Sequence, residues 1–498
     1  MKYIRSFFFP LIFFISCSFC ILYPRNIDQL FYYDDNPIRY MIARMWVDGR
    51  LMDDEKLLFL SYGSAEIYIP FFYIAKVMKI NYELIYNLVS LSIFFSILIF
   101  INIIFPPKDK KNLYFVIPLF LLFGVACLVK GSIHWLIVSV IFLWIISTPN
   151  MNFLHCLILG ISYILSPVII VASVILSFIF FINGDRKRSL YLILSIFFAL
   201  PKLVLVSKIT ISEVERSLDI ANYIGKKFID WSTLSFSPPV LSVFLRPIFV
   251  DYFKNNLELG IIIYTIAFRA IFTKDKKALV TFVLFYVFAF LSLFLFSLWI
   301  EGINIPDYII SIISFIFASN PFRYAPVFII YLILNSDEIR YNKIFGLVII
   351  VLLIFVSISN LIRGYGELPD KIPQDVKSVI HFLQNSDSEN ILIEGDIHFL
   401  KGGRIYHPLY NSHIISYIVA EVDKKNFYGG IIPWKLQNYN FFSGKFNSKP
   451  IEMSDILEFI EINRIDTVLC WTHECERFFA PNSSNIWKIG KFSILEIK

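Results

Sequence analysis

The chain has 498 residues, 57% of them hydrophobic and 53 of them Phe, with a mean hydropathy of +0.67. The formal net charge is a modest +6, and no nucleic-acid motif occurs, so no nucleic-acid partner is expected. So much apolar surface, gathered in long uncharged runs, argues against a soluble globular enzyme and for a polytopic α-helical membrane protein.

Spans are read from apolar runs of about 17–25 residues. Residues 6–23, behind Lys2 and Arg5, lack a small-x-small cleavage site and read as a retained first span. Beyond them lies an external loop, 24–83. Its key stretch is Phe31-Tyr-Tyr-Asp-Asp-Asn-Pro-Ile-Arg-Tyr-Met-Ile-Ala-Arg44. Ile38, Met41, Ile42 and Met45 recur at helical spacing, which predicts a short amphipathic helix on a membrane surface. Asn36-Pro37 suits its start, and Asp34 or Asp35 stands where a helix N-terminus favours negative charge. A second interfacial helix is predicted over 67–78, where the apolar run is short and contains Pro70.

Further spans are predicted at 84–105, 113–129, 133–148, 151–164, 166–182, 189–207, 257–273, 279–299, 309–334 and 344–361, about eleven in all. Basic turns at 106–111, 183–188, 273–277 and 340–343 then fall on one side. This places the N-terminus in the cytoplasm and the external loops 24–83 and 208–256 outside. From 362 the composition changes. Helices at 375–383 and 454–463, with strands at 390–394, 466–470 and 491–497, predict a C-terminal extracytoplasmic α/β domain over 362–498 beside a transmembrane domain over 1–361.

Several polar groups project to the outer face. Lys130 and His134 lie in Val125-Ala-Cys-Leu-Val-Lys-Gly-Ser-Ile-His-Trp135, and Arg323 lies in Asn320-Pro-Phe-Arg-Tyr-Ala-Pro326. Tyr33, Arg39 and Arg246 are further substrate-binding candidates. An Arg beside a helix break suits a phosphate, because its donor fork matches phosphate oxygens. A carboxylate held at the boundary can take the proton of an attacking hydroxyl. The six Cys are too few for a disulfide scaffold. Cys470 and Cys475 have the option of pairing, although a buried strand Cys beside a loop Cys is the plainer reading. His398, His407, His413 and His473 have no metal-binding spacing, so neither a metal nor another cofactor is indicated.

Asp34-Asp-Asn-Pro-Ile-Arg-Tyr-Met-Ile-Ala-Arg44, Tyr68-Ile-Pro-Phe-Phe-Tyr-Ile-Ala-Lys-Val77 and Val125-Ala-Cys-Leu-Val-Lys-Gly-Ser132 together resemble the opening half of GT-C type glycosyltransferases. That family includes protein O-mannosyltransferases and aminoarabinose–lipid A transferases. The resemblance implies a polyprenyl-phosphate sugar donor and inversion at the sugar carbon. It implies Asp35 or Asp34 as general base and Arg323 at the donor phosphate, where Lys130 offers a second cation by its own position at the boundary. The acceptor would be a glycan, lipid or protein hydroxyl, with membrane lipid as a further partner, on the extracytoplasmic face of a multi-pass cell-membrane protein. The chain departs from the family in having only Pro70 where a doubled Pro is usual, and in lacking a Trp-Trp-Asp motif in its external domain. The competing readings are a lipid or polysaccharide transporter and a non-catalytic cell-envelope assembly protein. Few charges lie within the predicted spans and no internal repeat occurs, which speaks against a transporter.

Overall fold

The computed structural model describes residues 36–51, 65–104, 133–148, 150–165, 169–201, 229–230, 235–236, 257–284, 344–352, 372–394, 413–423, 425–429, 453–471 and 473–497, with a few single positions between. The first part is helical: α1 (Asn36–Asp48), a short 3-10 turn (Ala65–Ile67), α2 (Ile69–Met78), α3 (Tyr82–Ile104), α4 (Ile133–Ser147), α5 (Phe153–Leu165), α6 (Ile169–Ile182), α7 (Arg186–Phe198) and α8 (Leu257–Thr273). A two-residue antiparallel pair, β1 (Ile229–Asp230) and β2 (Ser235–Phe236), precedes α8. The C-terminal region contains α9 (Gln374–Asn385), β3 (Asn390–Ile393), α10 (His413–Glu421), β4 (Asn426–Gly429), α11 (Met453–Ile462), β5 (Thr467–Cys470), α12 (His473–Phe479), β6 (Ser483–Ile489) and β7 (Phe492–Ile497).

This corrects the expected multi-pass architecture. Among the described residues no helix is long and apolar enough to cross a membrane, and the multi-pass membrane localisation falls with it. Helices α4 to α8 have 13–17 residues. At 1.5 Å per residue they extend roughly 20–26 Å, short of a hydrocarbon core about 30 Å thick. Helix α3 has 23 residues, but it opens on Glu83, Asn87 and Ser90, all buried within the protein. The spans predicted at 6–23 and 113–129, and most of those at 279–299 and 309–334, lie outside the described residues.

Polar and small residues fit the helices to one another. Ser195 Oγ donates to Tyr163 Oη at 3.3 Å, Tyr163 also pairs with Ser173, and Ser177 and Ser189 share a hydrogen bond of 2.9 Å. These bonds satisfy buried hydroxyls between α5, α6 and α7. Gly160 of α5 sits so close to α7 that a Cβ there would lie 2.5 Å from Phe198 Cβ and 2.7 Å from the Ser195 carbonyl. Asp185 caps α7 by accepting from the Arg188 amide at 3.2 Å. The outward faces stay apolar: Phe153, Phe181, Phe268 and Phe272 are exposed.

The C-terminal sheet has the order β4-β3-β5-β7-β6. The β4, β3 and β5 strands are parallel, while β7 runs antiparallel to β5 and to β6. Period-two alternation divides its side chains between two cores. Ile391, Ile393, Leu469 and Ile494 join the core that includes α9 and α10. Leu392, Val468, Cys470 and Leu495 join Phe459 and Ile460 of α11 and Cys475 and Phe479 of α12. The chain therefore leaves β3 for β4 by way of α10 and returns across β3 to β5 by way of α11.

Lys488 Nζ lies 2.8 Å from Glu476, and Ser493 Oγ donates to the same carboxylate at 2.8 Å, tying α12 to β6 and β7. The Lys488 bond, followed by that from Ser493, holds the Glu476 carboxyl below its ordinary 4.5. A folded-state value below the unfolded one stabilises the fold above about pH 4.5, and the gain is lost as pH falls through the folded value. Glu476→Gln is expected to cost about 0.5–1 kcal/mol at pH 7 and progressively less as pH falls through the acidic range, read by denaturant melts across that pH series. Gly160→Val is expected to cost about 1–3 kcal/mol through overpacking against α7, seen as a lowered Tm.

Candidate functional site: a charged cleft between α1, α2, α3 and α10

Helix α1 forms as the spacing predicts, but its apolar stripe faces protein. Ile38, Met41, Ile42 and Val47 are all 5% exposed or less, and α1 packs on α2, α3 and α10. An apolar stripe is satisfied equally by a membrane surface or by a protein core, and here three helices cover it. The first residue, Asn36, is buried and accepts from Tyr86 Oη of α3 at 2.8 Å.

A second face of α1 carries Tyr40, Arg44 and Asp48 at four-residue spacing, and this face meets the end of α10. Tyr40 Oη donates to Glu421 at 2.7 Å, Arg44 donates to Tyr40 at 3.2 Å, and Arg44 also pairs directly with Glu421. Arg44 lies 3.6 Å from Asp48 and 3.7 Å from Asp423. Arg50, just past α1, donates to the carbonyls of Val419 at 2.9 Å, Ala420 at 2.9 Å and Val422 at 3.1 Å. A helix C-terminus leaves such carbonyls without intrahelical partners, and a cation is favoured there. Across the same seam Tyr417 Oη of α10 donates to the buried Glu83 of α3 at 2.5 Å.

The electrostatics follow from burial and pairing. Burial pushes the Tyr40 and Tyr417 phenols up, and the carboxylates they touch, Glu421 and Glu83, push them further, so both stay protonated donors. Burial opposes the charge on Arg44, but the oxygens of Tyr40 and Glu421 outweigh it and hold the guanidinium above its ordinary value.

Beside this knot a cavity of about 530 Å³ opens, lined by Tyr40, Arg44, Ala75, Lys76, Lys79, Ile80, Asn81, Tyr82, Glu83 and Glu421. Glu421 and Glu83 are engaged by Arg44 and Tyr417. Lys76 donates to the Val47 carbonyl at 2.8 Å and lies 3.6 Å from Asp48, with half of its side chain exposed. Lys79 ends α2 in the left-handed conformation, φ 55°, and lines the cavity. Lys274 and Arg464 take the same conformation after α8 and α11. On α2 itself only Phe72 and Ala75 are buried, and Phe71, Tyr73, Ile74, Val77 and Met78 are exposed, between 44% and 83%. The cleft is thus bordered by two lysines next to the exposed apolar face of α2.

Of the residues predicted for catalysis and binding, Asp34, Asp35, Tyr33, Lys130, Arg246 and Arg323 lie outside the described residues. Arg39 is buried in α1, where its charge is felt by Tyr68, and His134 is half-buried near the start of α4. Neither lines the cleft. Arg44 and Lys76 stand within the motifs that carry the family resemblance, but nothing local marks them as cleft residues. Glu421 had no sequence signal at all, since its partner lies 377 residues away. Cys470 and Cys475 form a disulfide, the pairing option the sequence had left open. No protein-family model, curated protein or solved structure matches this chain.

Arg50→Met is expected to leave the α10 carbonyls without their shared donor and to destabilise the seam by about 2–4 kcal/mol. Amide exchange within 413–421 should accelerate well before global unfolding, which hydrogen-exchange mass spectrometry detects.

Proposed function

We propose that the chain is a glycosyltransferase drawing its sugar from a lipid-phosphate donor, polyprenyl phosphate in chemical class, and passing it to an acceptor hydroxyl with inversion. The observation that carries this reading is the cleft itself, in which Lys76 and Lys79 border a cavity of about 530 Å³ and the exposed apolar face of α2 adjoins it. An amphiphilic phosphate asks for that combination: cations for its head and apolar surface for its chain. Asp35 adjoins Asn36, the anchored first residue of α1, in the sequence. The resemblance of this segment to GT-C enzymes assigns the base to Asp35 or Asp34.

In the step so drawn, the carboxylate accepts the acceptor's hydroxyl proton as the oxygen attacks the anomeric carbon. The bond from that carbon to the phosphate oxygen breaks, and the phosphate leaves with the electron pair. Lys79 and Lys76 offset its growing charge. Lys79 holds a backbone conformation in which a non-Gly residue costs about 1–2 kcal/mol.

Incubation of the purified chain with polyprenyl-phosphate sugars should release polyprenyl phosphate and yield a glycosylated acceptor. Asp34→Asn or Asp35→Asn should slow this about 100-fold or more, and a double variant that keeps the full rate would sink the proposal in favour of a non-catalytic assembly role. Lys79→Gly should stabilise the fold by about 0.5–1 kcal/mol while raising KM for the donor about tenfold, the two effects separating a binding role from a structural one.

A further inference from the structure

The second core of the C-terminal sheet holds a group of side chains that the cleft does not use. Glu394 follows the last residue of β3, and Cys470 is the last residue of β5. These are adjacent parallel strands ending side by side. Their carboxyl ends lie where the chain's path reverses, since β3 sends one connection to β4 on one side and the next returns to β5 on the other. Open α/β sheets bind ligands in the crevice outside the carboxyl ends of their strands at that reversal.

Period-two alternation aims the Glu394 side chain to the same face as Leu392, which is the face of Cys470. Cys475 comes from α12 to meet them. One ligand atom from each of Glu394, Cys470 and Cys475 lies within 4.8 Å of the others, and all three residues are buried, none more than 2% exposed. The Glu394 carboxylate is oriented by the Trp471 amide, which donates to it at 2.6 Å, and its own amide donates to the Leu469 carbonyl at 2.9 Å. The side of the sheet that holds this carboxylate and the sulfur pair also holds Leu392, Phe459, Ile460 and Phe479, and a charge so buried is costly unless it is paired.

We propose that reduction of the Cys470–Cys475 disulfide opens a zinc site made of the two thiolates and the Glu394 carboxylate. A dithiol reductant supplies two electrons and two protons, becomes a disulfide itself, and leaves two protein thiols. A Zn²⁺ ion then takes both sulfurs and releases both protons. The chelate spacing Cys470-Trp-Thr-His-Glu-Cys475 is C-x4-C, within the range of zinc ligand pairs. The Cα atoms stand 5.6 Å apart. Sulfur and oxygen ligands around a tetrahedral zinc lie roughly 3.5–3.8 Å from one another, so the group closes on the ion by side-chain rotation alone. Two sulfurs and one oxygen select Zn²⁺ over Mg²⁺ or Ca²⁺, and water completes the fourth position. The disulfide and the zinc site exclude one another, because the same sulfurs serve both.

The full chain, reduced with a phosphine and titrated with Co²⁺, is expected to bind one ion per chain with a sulfur-to-cobalt charge-transfer band in the near ultraviolet, displaced by Zn²⁺. The oxidised chain is expected to show no such band. Cys470→Ser and Cys475→Ser should each remove it, and Glu394→Gln should weaken Co²⁺ binding about tenfold or more while leaving the band's sulfur character intact. Should these variants fold poorly, Zn²⁺ protection of the reduced wild-type thiols against maleimide alkylation decides the matter. Absence of the band together with unprotected thiols overturns the proposal and leaves a structural disulfide.

Discussion

The cleft depends on how α10 is held at its C-terminal end. Arg50 reaches three of its carbonyls, and Arg44 and Tyr40 reach its last side chain, Glu421. Charged groups this close to a helix terminus interact with partial charges that water does not screen well, so each bond is worth more than its surface counterpart. The seam joins a segment before residue 51 to one after 412, and without it the cleft would lose the wall that Glu421 supplies. Truncating one partner would leave the other charge buried, which is why such knots fail as units.

The C-terminal sheet serves both of its faces differently. One face packs α9 and α10, and through α10 it presents Tyr417 and Glu421 to α1 and α3. The other face, under α11 and α12, holds Glu394 and the cysteine pair. The alternation of side chains along β3 and β5 produces both environments from the same short runs. Apolar residues fill nearly every inward position, so the few polar ones, Glu394 above all, stand out as positions whose chemistry packing does not require.

The cleft and the α2 face beside it explain why an apolar composition and a charged pocket occur together. Phe71, Ile74, Val77 and Met78 remain exposed on α2, although Phe72 and Ala75 anchor it firmly. Large apolar side chains gathered on one helix face mark a surface that meets something of the same character. In the proposed function the donor's chain would lie on this face and its phosphate beside Lys76 and Lys79.

Periodicity by itself determined where several elements lie. The α1 stripe of Ile38, Met41 and Ile42, the short helix ahead of Lys79, and the α9, β3, α11, β5 and β7 elements all occupy the stretches where spacing places them, because local hydrophobic repeats of 3.6 and 2 residues are written directly in the chain. What covers those stripes was decided only by tertiary structure. An apolar run of 13–17 residues reads alike whether it faces lipid or another helix, so hydropathy expected membrane spans where the described helices are too short and instead join through Tyr163, Ser173 and Ser195. The partnership of Arg44 with Glu421, the capture of the α10 end by Arg50 and the meeting of Glu394 with Cys470 and Cys475 were likewise beyond the sequence. Each joins residues that no local repeat relates, and such contacts exist only once the sheet and α1 have set their distances.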